Sequence, residues 1–426
     1  MNAERTALFS NAPVRKAVLT LAIPTVISQL ITVVYNMADP FFIGKLNDPL
    51  QVAAATVVMP CFMLLTGFAN LFGLGGSSLI SRCLGTDDQE KARHCASFCI
   101  WTGAAVALLY GIAVILLEPV LFPLLGASEG TWESCRQYAF WTIGVGAVPT
   151  VMNAELAHLI RAEGYSRPAG FGVAFGGVLN IILDPIFIFA LRLNIAGAAI
   201  ATMLSNLIAM GYFLGFLYHI RKNTVITPDP KAFSIRQHIP GEVLSVGLPG
   251  FVMAMMSTIS NMVLNHTVAG YSDTAIAGMG IAKKIGLLAY AIAQGMTQGT
   301  LPLIGYNYTS GSLKRMKAAI KTAFAYSFLV ACAGTVLLWT LAAPISRCFI
   351  ADAETVRYGQ HFLKIICLAC PTTAINFMVI TVFQAIGKRV QPLCLSLLRK
   401  GSLDVVFMLL LNHAVGVSGI AWATPF

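Results

Sequence analysis

Apolar stretches too long for a soluble core recur along the whole chain. Ala104 to Leu117, Val173 to Phe189, Ile195 to Tyr218 and Phe324 to Leu341 are separated from their neighbours only by short polar segments. Several reach the roughly 20 residues that cross about 30 Å of hydrocarbon. Only helices and closed barrels satisfy their own backbone in lipid, and the alternation of barrel strands is missing, so these stretches read as membrane helices. Composition agrees: 57% of the 426 residues are hydrophobic and 11% charged, with a mean hydropathy of +0.75. A soluble domain carries about 25% charged residues. The fold class expected is an all-α polytopic membrane protein.

Helices are expected at 14–43, 49–81, 91–118, 131–160, 168–190, 195–221, 241–267, 273–304, 314–343, 355–385 and 390–412, with a twelfth beginning near Ser418. The start, MNAERTALFSNAPVRKAVLTLAIP, has basic residues ahead of an apolar run. No small-residue cleavage site follows, so it reads as the first membrane helix and not as a signal peptide. Most Lys and Arg fall in one alternate set of connections, among them Arg15, Lys16, Arg82, Lys91, Arg161, Arg221, Lys314 and Lys388. The other set holds only Lys45, Arg136, Arg192, Arg347 and Arg357, which places the N-terminus in the cytoplasm. The same asymmetry accounts for the net charge of +10 without nucleic acid. The ten cysteines lie mostly inside apolar segments and suggest neither a disulfide framework nor a zinc site.

The longest polar connection, RKNTVITPDPKAFSIRQHIP from Arg221 to Pro240, divides the apolar segments six and six. Shifting the second half back by about 225 positions pairs Leu19–Pro24 with Leu244–Pro249, and Asn36-Met37 with Asn261-Met262. Farther on, Gly85 pairs with Gly311, Pro149-Thr150 with Pro371-Thr372, and Gly197–Thr202 with Gly419–Thr424. The chain therefore divides into an N-terminal lobe at 1–221, a cytoplasmic linker at 222–240 and a C-terminal lobe at 241–426. An even number of helices per repeat orients both copies alike, which suits rocking of two lobes about a central site. By the repeat, Gly419 opens a twelfth helix, and a chain truncated within it is expected.

Ionisable groups inside apolar helices are costly and point to function by default. Asp39 lies toward the end of the first helix in YNMADPFFIG, and Asp184 lies in the fifth in LNIILDPIFIF, each followed by proline. Asn180 stands four residues before Asp184, on the same helical face. Desolvation and mutual repulsion penalise two ionised carboxylates in one site, the property a proton-coupling group needs. The same oxygens with an amide and a hydroxyl suit a hard cation such as sodium. The structural alternatives are a helix-end acid at Asp39 and a locally hydrogen-bonded acid at Asp184.

Other groups carry weaker signals. Glu155 and Arg161 in the fourth helix read as a structural ion pair or a snorkelling arginine. Lys283 and Lys284 are too deep to snorkel and either line a water-filled cavity or pair with an acid. Lys400 and Asp404 read as an i,i+4 pair. Gln294 and Gln298, with Tyr290, are candidates for substrate contact or interhelical hydrogen bonds. Tyr35 and Asn261 are further cavity candidates. Methionines such as Met253 and Met279 suit an adaptable pocket or plain packing. There is no P-loop, HExxH, GxSxG or dinucleotide fingerprint, so the chain reads as a transporter driven by an ion gradient and not as an enzyme.

Taken together, LAIPTVISQLITVVYNMADPFFIGKL, LGTDDQEKARH, LIRAEGYSRP, LNIILDPIFIFALRLNIAGAAIAT and QGTLPLIGYNYTSGSLKRMK resemble the multidrug and toxic compound extrusion (MATE) family, the last stretch its MepA-like branch. The resemblance covers nearly the whole chain. It implies twelve helices in two six-helix lobes about a V-shaped cavity, and export of organic, often cationic, compounds in exchange for protons or sodium. It also implies a cation or proton site at Asp39, Asn180, Asp184 and Thr202, with the Ala198 carbonyl as a further ligand. The seventh helix offers Asn261 and Asn265 and the tenth no acid, which turns coupling away from the C-terminal lobe. The expected partners are small organic molecules and the bilayer, with no nucleic acid and no cofactor beyond the coupling ion. A monomer in the plasma (inner) membrane is expected. The rival reading is a flippase for lipid-linked saccharides of the same superfamily, which needs a strongly basic cavity. A major-facilitator antiporter lacks support because the loop after the second helix, RCLGTDDQEKARH, misses that family's glycine-aspartate-arginine pattern.

Overall fold

The computed structural model describes residues 3–46, 48–269, 271, 273–349 and 352–424. Every regular element among them is helical. A short helix α1 (Ala3–Ser10) precedes α2 (Val14–Gly44), α3 (Pro49–Gly85), α4 (Gln89–Leu116), α5 (Glu118–Leu124), α6 (Trp132–Ala139), α7 (Ala147–Ala162), α8 (Ser166–Pro185) and α9 (Asn194–His219). After the linker come α10 (Ile239–Ala269), α11 (Asp273–Thr309), α12 (Leu313–Thr340), α13 (Ala342–Phe349), α14 (Ala353–Ile366), α15 (Ala369–Ala385), α16 (Val390–Ser396), α17 (Asp404–Val415) and α18 (Val417–Trp422). Among the described residues seven helices are long and apolar enough to cross a membrane unaided, and two bent pairs each have the composition of one more span.

Large apolar side chains face outward along these helices, Leu116 at 73% exposure and Leu329 at 66%, a surface that suits lipid and not water. Two expected straight spans are bent. The expected helix at 131–160 turns by 48° between Val145 and Ala147, and the one at 355–385 by 41° between Ile366 and Ala369. Pro149 and Pro371 stand in the first turn after each bend, where a missing N–H is tolerated. These are the paired prolines of the repeat, so the bend is repeated with them. The expected helix at 390–412 carries a π-helical turn, Leu397–Leu403, and another follows Pro185 at Ile186–Ala190.

Within the first half α2 packs on α8, α3 on α4 and α7, and α8 on α9; within the second, α11 packs on α12, α14 and α15. The halves meet chiefly along three seams, α3 against α10, α2 against α11 and α3 against α11. Small residues allow backbone-to-backbone approach there. A Cβ on Gly299 would lie 2.7 Å from the Cα of Ala22, and one on Gly247 would run into the Leu71 carbonyl. Both contacts lie at one end of the bundle, toward the start of α2 and the end of α3.

Candidate functional site: a buried carboxyl cluster and a central cleft

At the same end, charge ties the halves together. Glu242 at the start of α10 meets Arg82 at 3.2 Å and Lys91 at 2.8 Å, both from the first half. Thr309 donates to the Arg82 carbonyl at 2.7 Å and Ser78 to that of Gln384 at 2.5 Å. α1 docks on the second half, where Asn307 and Arg315 donate to the Phe9 carbonyl and Phe9 stacks on Tyr306.

Toward the other end of α2, just before its internal Pro40, Asp39 meets the ends of α8 and α9. Thr202 donates to Asp39 Oδ2 at 3.0 Å, and Asn180 Nδ2 reaches Thr202 Oγ1 at 3.3 Å and Asp184 Oδ1 at 3.4 Å. Asp184 and Asn180 adjoin the Asp39 carboxyl closely enough to interact with it directly. Asp184 is fully buried, and Asn180 and Thr202 nearly so. Three acceptor oxygens, Asp39 Oδ1, Asn180 Oδ1 and Asp184 Oδ2, are buried without a donor. Each such group costs about 1–3 kcal/mol, so the pocket is organised for a positive species. Ala198 is buried one turn before Thr202, inside the uninterrupted α9, where its carbonyl serves the helix ladder. Among the described residues no three His, Cys, Asp or Glu side chains converge as a metal cluster.

The structure extends this cluster beyond the residues the sequence singles out. Asn206 donates to the Thr202 carbonyl at 2.9 Å, and Asn153 of α7 donates to Asn206 Oδ1 at 2.8 Å. Tyr138 of α6 lies within electrostatic reach of both Asp39 and Asp184. The spacing of Thr202 and Asn206 is the one signal in the sequence that points to this extension. Tyr35 lies against Gly177 of α8 and within reach of Asp39, beside the carboxyl cluster.

A cleft opens between the halves, lined by Asn70, Met253, Gln294, Gln298, Phe377 and Gln384 among others. Gln298 accepts from Gln29 across the seam at 2.8 Å. Lys283 donates to Asn261 at 2.7 Å, and neither lines this cleft. The expected pairing of Glu155 with Arg161 does not form. Arg161 meets His158 at 3.3 Å, whereas both Glu155 oxygens are buried without a partner. Six residues of helix turn through about 600°, which sets the two side chains on different faces. Asp404 takes a hydrogen bond from Ser260 at 2.6 Å; the side chains of Lys400 and Asn265 lie outside the described residues.

The sequence pattern of the MatE family matches residues 24–186 and 249–410, one copy in each half. The multidrug export protein MepA of Staphylococcus saprophyticus is 30% identical over 423 residues, 99% of this chain and 93% of its own. MepA of Staphylococcus aureus is 28% identical over the same share. A solved outward-facing multidrug-resistance MATE transporter superposes with a TM-score of 0.90 at 25% identity, covering 100% of this chain and 94% of its own. A Pyrococcus furiosus transporter, described as having a binding pocket of reversed polarity, gives 0.88 at 25% identity, with 100% and 95% covered. With the doubled helical architecture, these matches establish that the chain belongs to the MatE (multidrug and toxic compound extrusion) family of membrane transporters.

Proposed function

We propose that the chain is an antiporter that exports organic, typically cationic, compounds by alternating access, driven by a proton or sodium ion bound at Asp39, Asn180, Asp184 and Thr202. One observation carries the coupling site: three buried acceptor oxygens converge with no donor of their own. A proton, or a hard cation held by carboxylate, amide and hydroxyl oxygens, supplies what they lack. The MepA relatives and the MATE structures support multidrug export.

The reading takes residues 1–221 and 241–426 as the lobes, 222–240 as the linker, the N-terminus as cytoplasmic, and a monomer in the plasma membrane as the working unit. In that orientation the tied end is cytoplasmic and the conformation faces outward. α2 links ion to movement, because it carries Asp39 toward one end and forms the seam with α11 toward the other. An ion shifts the lobes only by binding the two states differently. An ordered carboxyl cluster in this state and a disturbed one in the other would provide that difference.

Asp39→Asn and Asp184→Asn should each reduce export of a fluorescent cation to a tenth or less in proteoliposomes under an imposed pH or sodium gradient. Export at wild-type rates by normally inserted variants would falsify the assignment. The gradient that drives uptake names the ion. The flippase alternative calls for several basic groups facing the cavity; among the described residues no Lys or Arg lines the small cleft between the halves.

A further inference from the structure

Of the seven unaided spans α12 is the least enclosed: 11% of its apolar window is buried, against 28% or more in the other six. It starts at the tied end, directly after the end of α11 that Thr309 fastens to Arg82. Lys314, Lys317, Lys321, Phe324 and Phe328 are all exposed along it. At about 100° per residue the five fall within an arc of roughly 80°. Arg315 is turned out of this arc, toward the Leu8 and Phe9 carbonyls, and Ala319 and Ala323 are buried on the opposite side. The Phe324 and Phe328 rings lie nearly parallel, with centroids 5.9 Å apart and 9° between their planes. Three ammonium groups spread over about 10 Å of helix thus adjoin a flat aromatic surface.

The first half shows what covers such a face. The shift that pairs Gly85 with Gly311 also pairs Lys91 with Lys317 and Phe98 with Phe324. Lys91 meets Glu242, and Phe98, 4% exposed, lies beneath the linker against Phe233. Phe324 is 36% exposed, and among the described residues none of the three α12 lysines forms an ion pair. The second half therefore repeats the face without the acid and the ring that close it in the first. The positive-inside bias accounts for cations at this end, but neither for their common arc nor for the ring pair that continues it.

We propose that this face of α12 binds an anionic phospholipid of the adjoining leaflet, its phosphate held by Lys314, Lys317 and Lys321 and an acyl chain laid along Phe324 and Phe328. Lysine stems run along apolar surface while their ammonium groups stay at headgroup level. Each lysine there is attracted to an anionic headgroup, in a manner that salt screens. A phospholipid joins a charge at the interface to a chain in the hydrocarbon, so one molecule supplies what Glu242 and Phe233 supply in the first half. The site is independent of which compound the protein exports and of the ion that drives it.

Delipidated protein in detergent is titrated with phosphatidylglycerol or with phosphatidylcholine of the same acyl chains, and bound lipid is counted by native mass spectrometry. The wild type should bind its first phosphatidylglycerol at least tenfold tighter than phosphatidylcholine. That preference should fall fivefold or more when Lys314→Gln, Lys317→Gln and Lys321→Gln are combined. Combining Arg221→Gln, Lys222→Gln and Lys231→Gln removes the same charge from exposed positions in the linker region and should leave the preference intact. Phe324→Ala with Phe328→Ala keeps the charge and should weaken both lipids. No preference in the wild type, its survival in the lysine variant, an equal loss in the linker variant or unchanged binding in the ring variant overturns the site. Displacement of the lipid by millimolar inorganic phosphate also overturns it, in favour of a free anion, as does a dimer that the lysine variant abolishes, in favour of a second copy. If the triple lysine variant does not fold, Lys317→Gln alone decides, with a threefold loss of preference expected and none overturning the site.

Discussion

Thr202 joins the carboxyl cluster by one hydroxyl that donates to Asp39 and accepts from Asn180. Thr202→Val leaves Asp39 Oδ2 and Asn180 Nδ2 one partner short, at about 1–3 kcal/mol; Thr202→Ser keeps both bonds. Export per unit of inserted protein should fall fivefold or more for valine and stay near wild type for serine. Equal rates for all three proteins would show that the hydroxyl is not used. At this scale the acid-proline steps made Asp39 and Asp184 conspicuous in the sequence, and the i,i+4 spacing tied Asn180 to Asp184. Thr202 was indicated by family resemblance alone. The amide chain through Asn206 and Asn153, and the approach of Tyr138, depend on how α6, α7 and α9 pack, which no local pattern encodes. Glu155 and Arg161 do not pair because side-chain direction on a helix, and not nearness along the chain, decides which groups meet.

At the scale of elements, hydrophobic runs located the membrane helices because lipid leaves so few alternatives for backbone. Bends were less legible, since proline near a helix start permits a break without dictating its angle. The repeat carried the better signal, because Pro149 and Pro371 mark both bends. The seam between α2 and α11 depends on glycine in a way that can be measured. Gly299→Ala drives a methyl into the backbone at Leu21 and Ala22, an overpacking worth about 1–3 kcal/mol. Gly280→Ala, on the same helix, meets open space and gains helix propensity. Detergent melting midpoints should therefore fall for Gly299→Ala and hold or rise for Gly280→Ala. The same direction of change in both would remove the seam as the cause.

For the whole molecule, one acid spans the tied end. Glu242→Gln leaves Arg82 and Lys91 beside each other with no counter-charge from α10, which should favour separation of the lobes there. Ser81, buried against Gly305 where α3 meets α11, offers a reporter. In a Ser81→Cys background, maleimide labelling located by mass spectrometry should speed up several-fold when Glu242 is also replaced. Unchanged labelling would mean that packing alone closes this end.

How far such a separation can go is limited by the connection between halves. Thr224 and Val225 bind Glu163, while Trp101, Ser97 and His94 hold the carbonyls of Pro228, Asp229 and Ala232. The Phe233 ring packs on Phe98. The linker thus belongs mechanically to the first half almost to its end, and only the steps from Phe233 to Ile239 remain to pay out. Six steps of chain reach about 20 Å at full stretch. The segment works as a short leash, setting the stroke of the machine at this end whatever drives it.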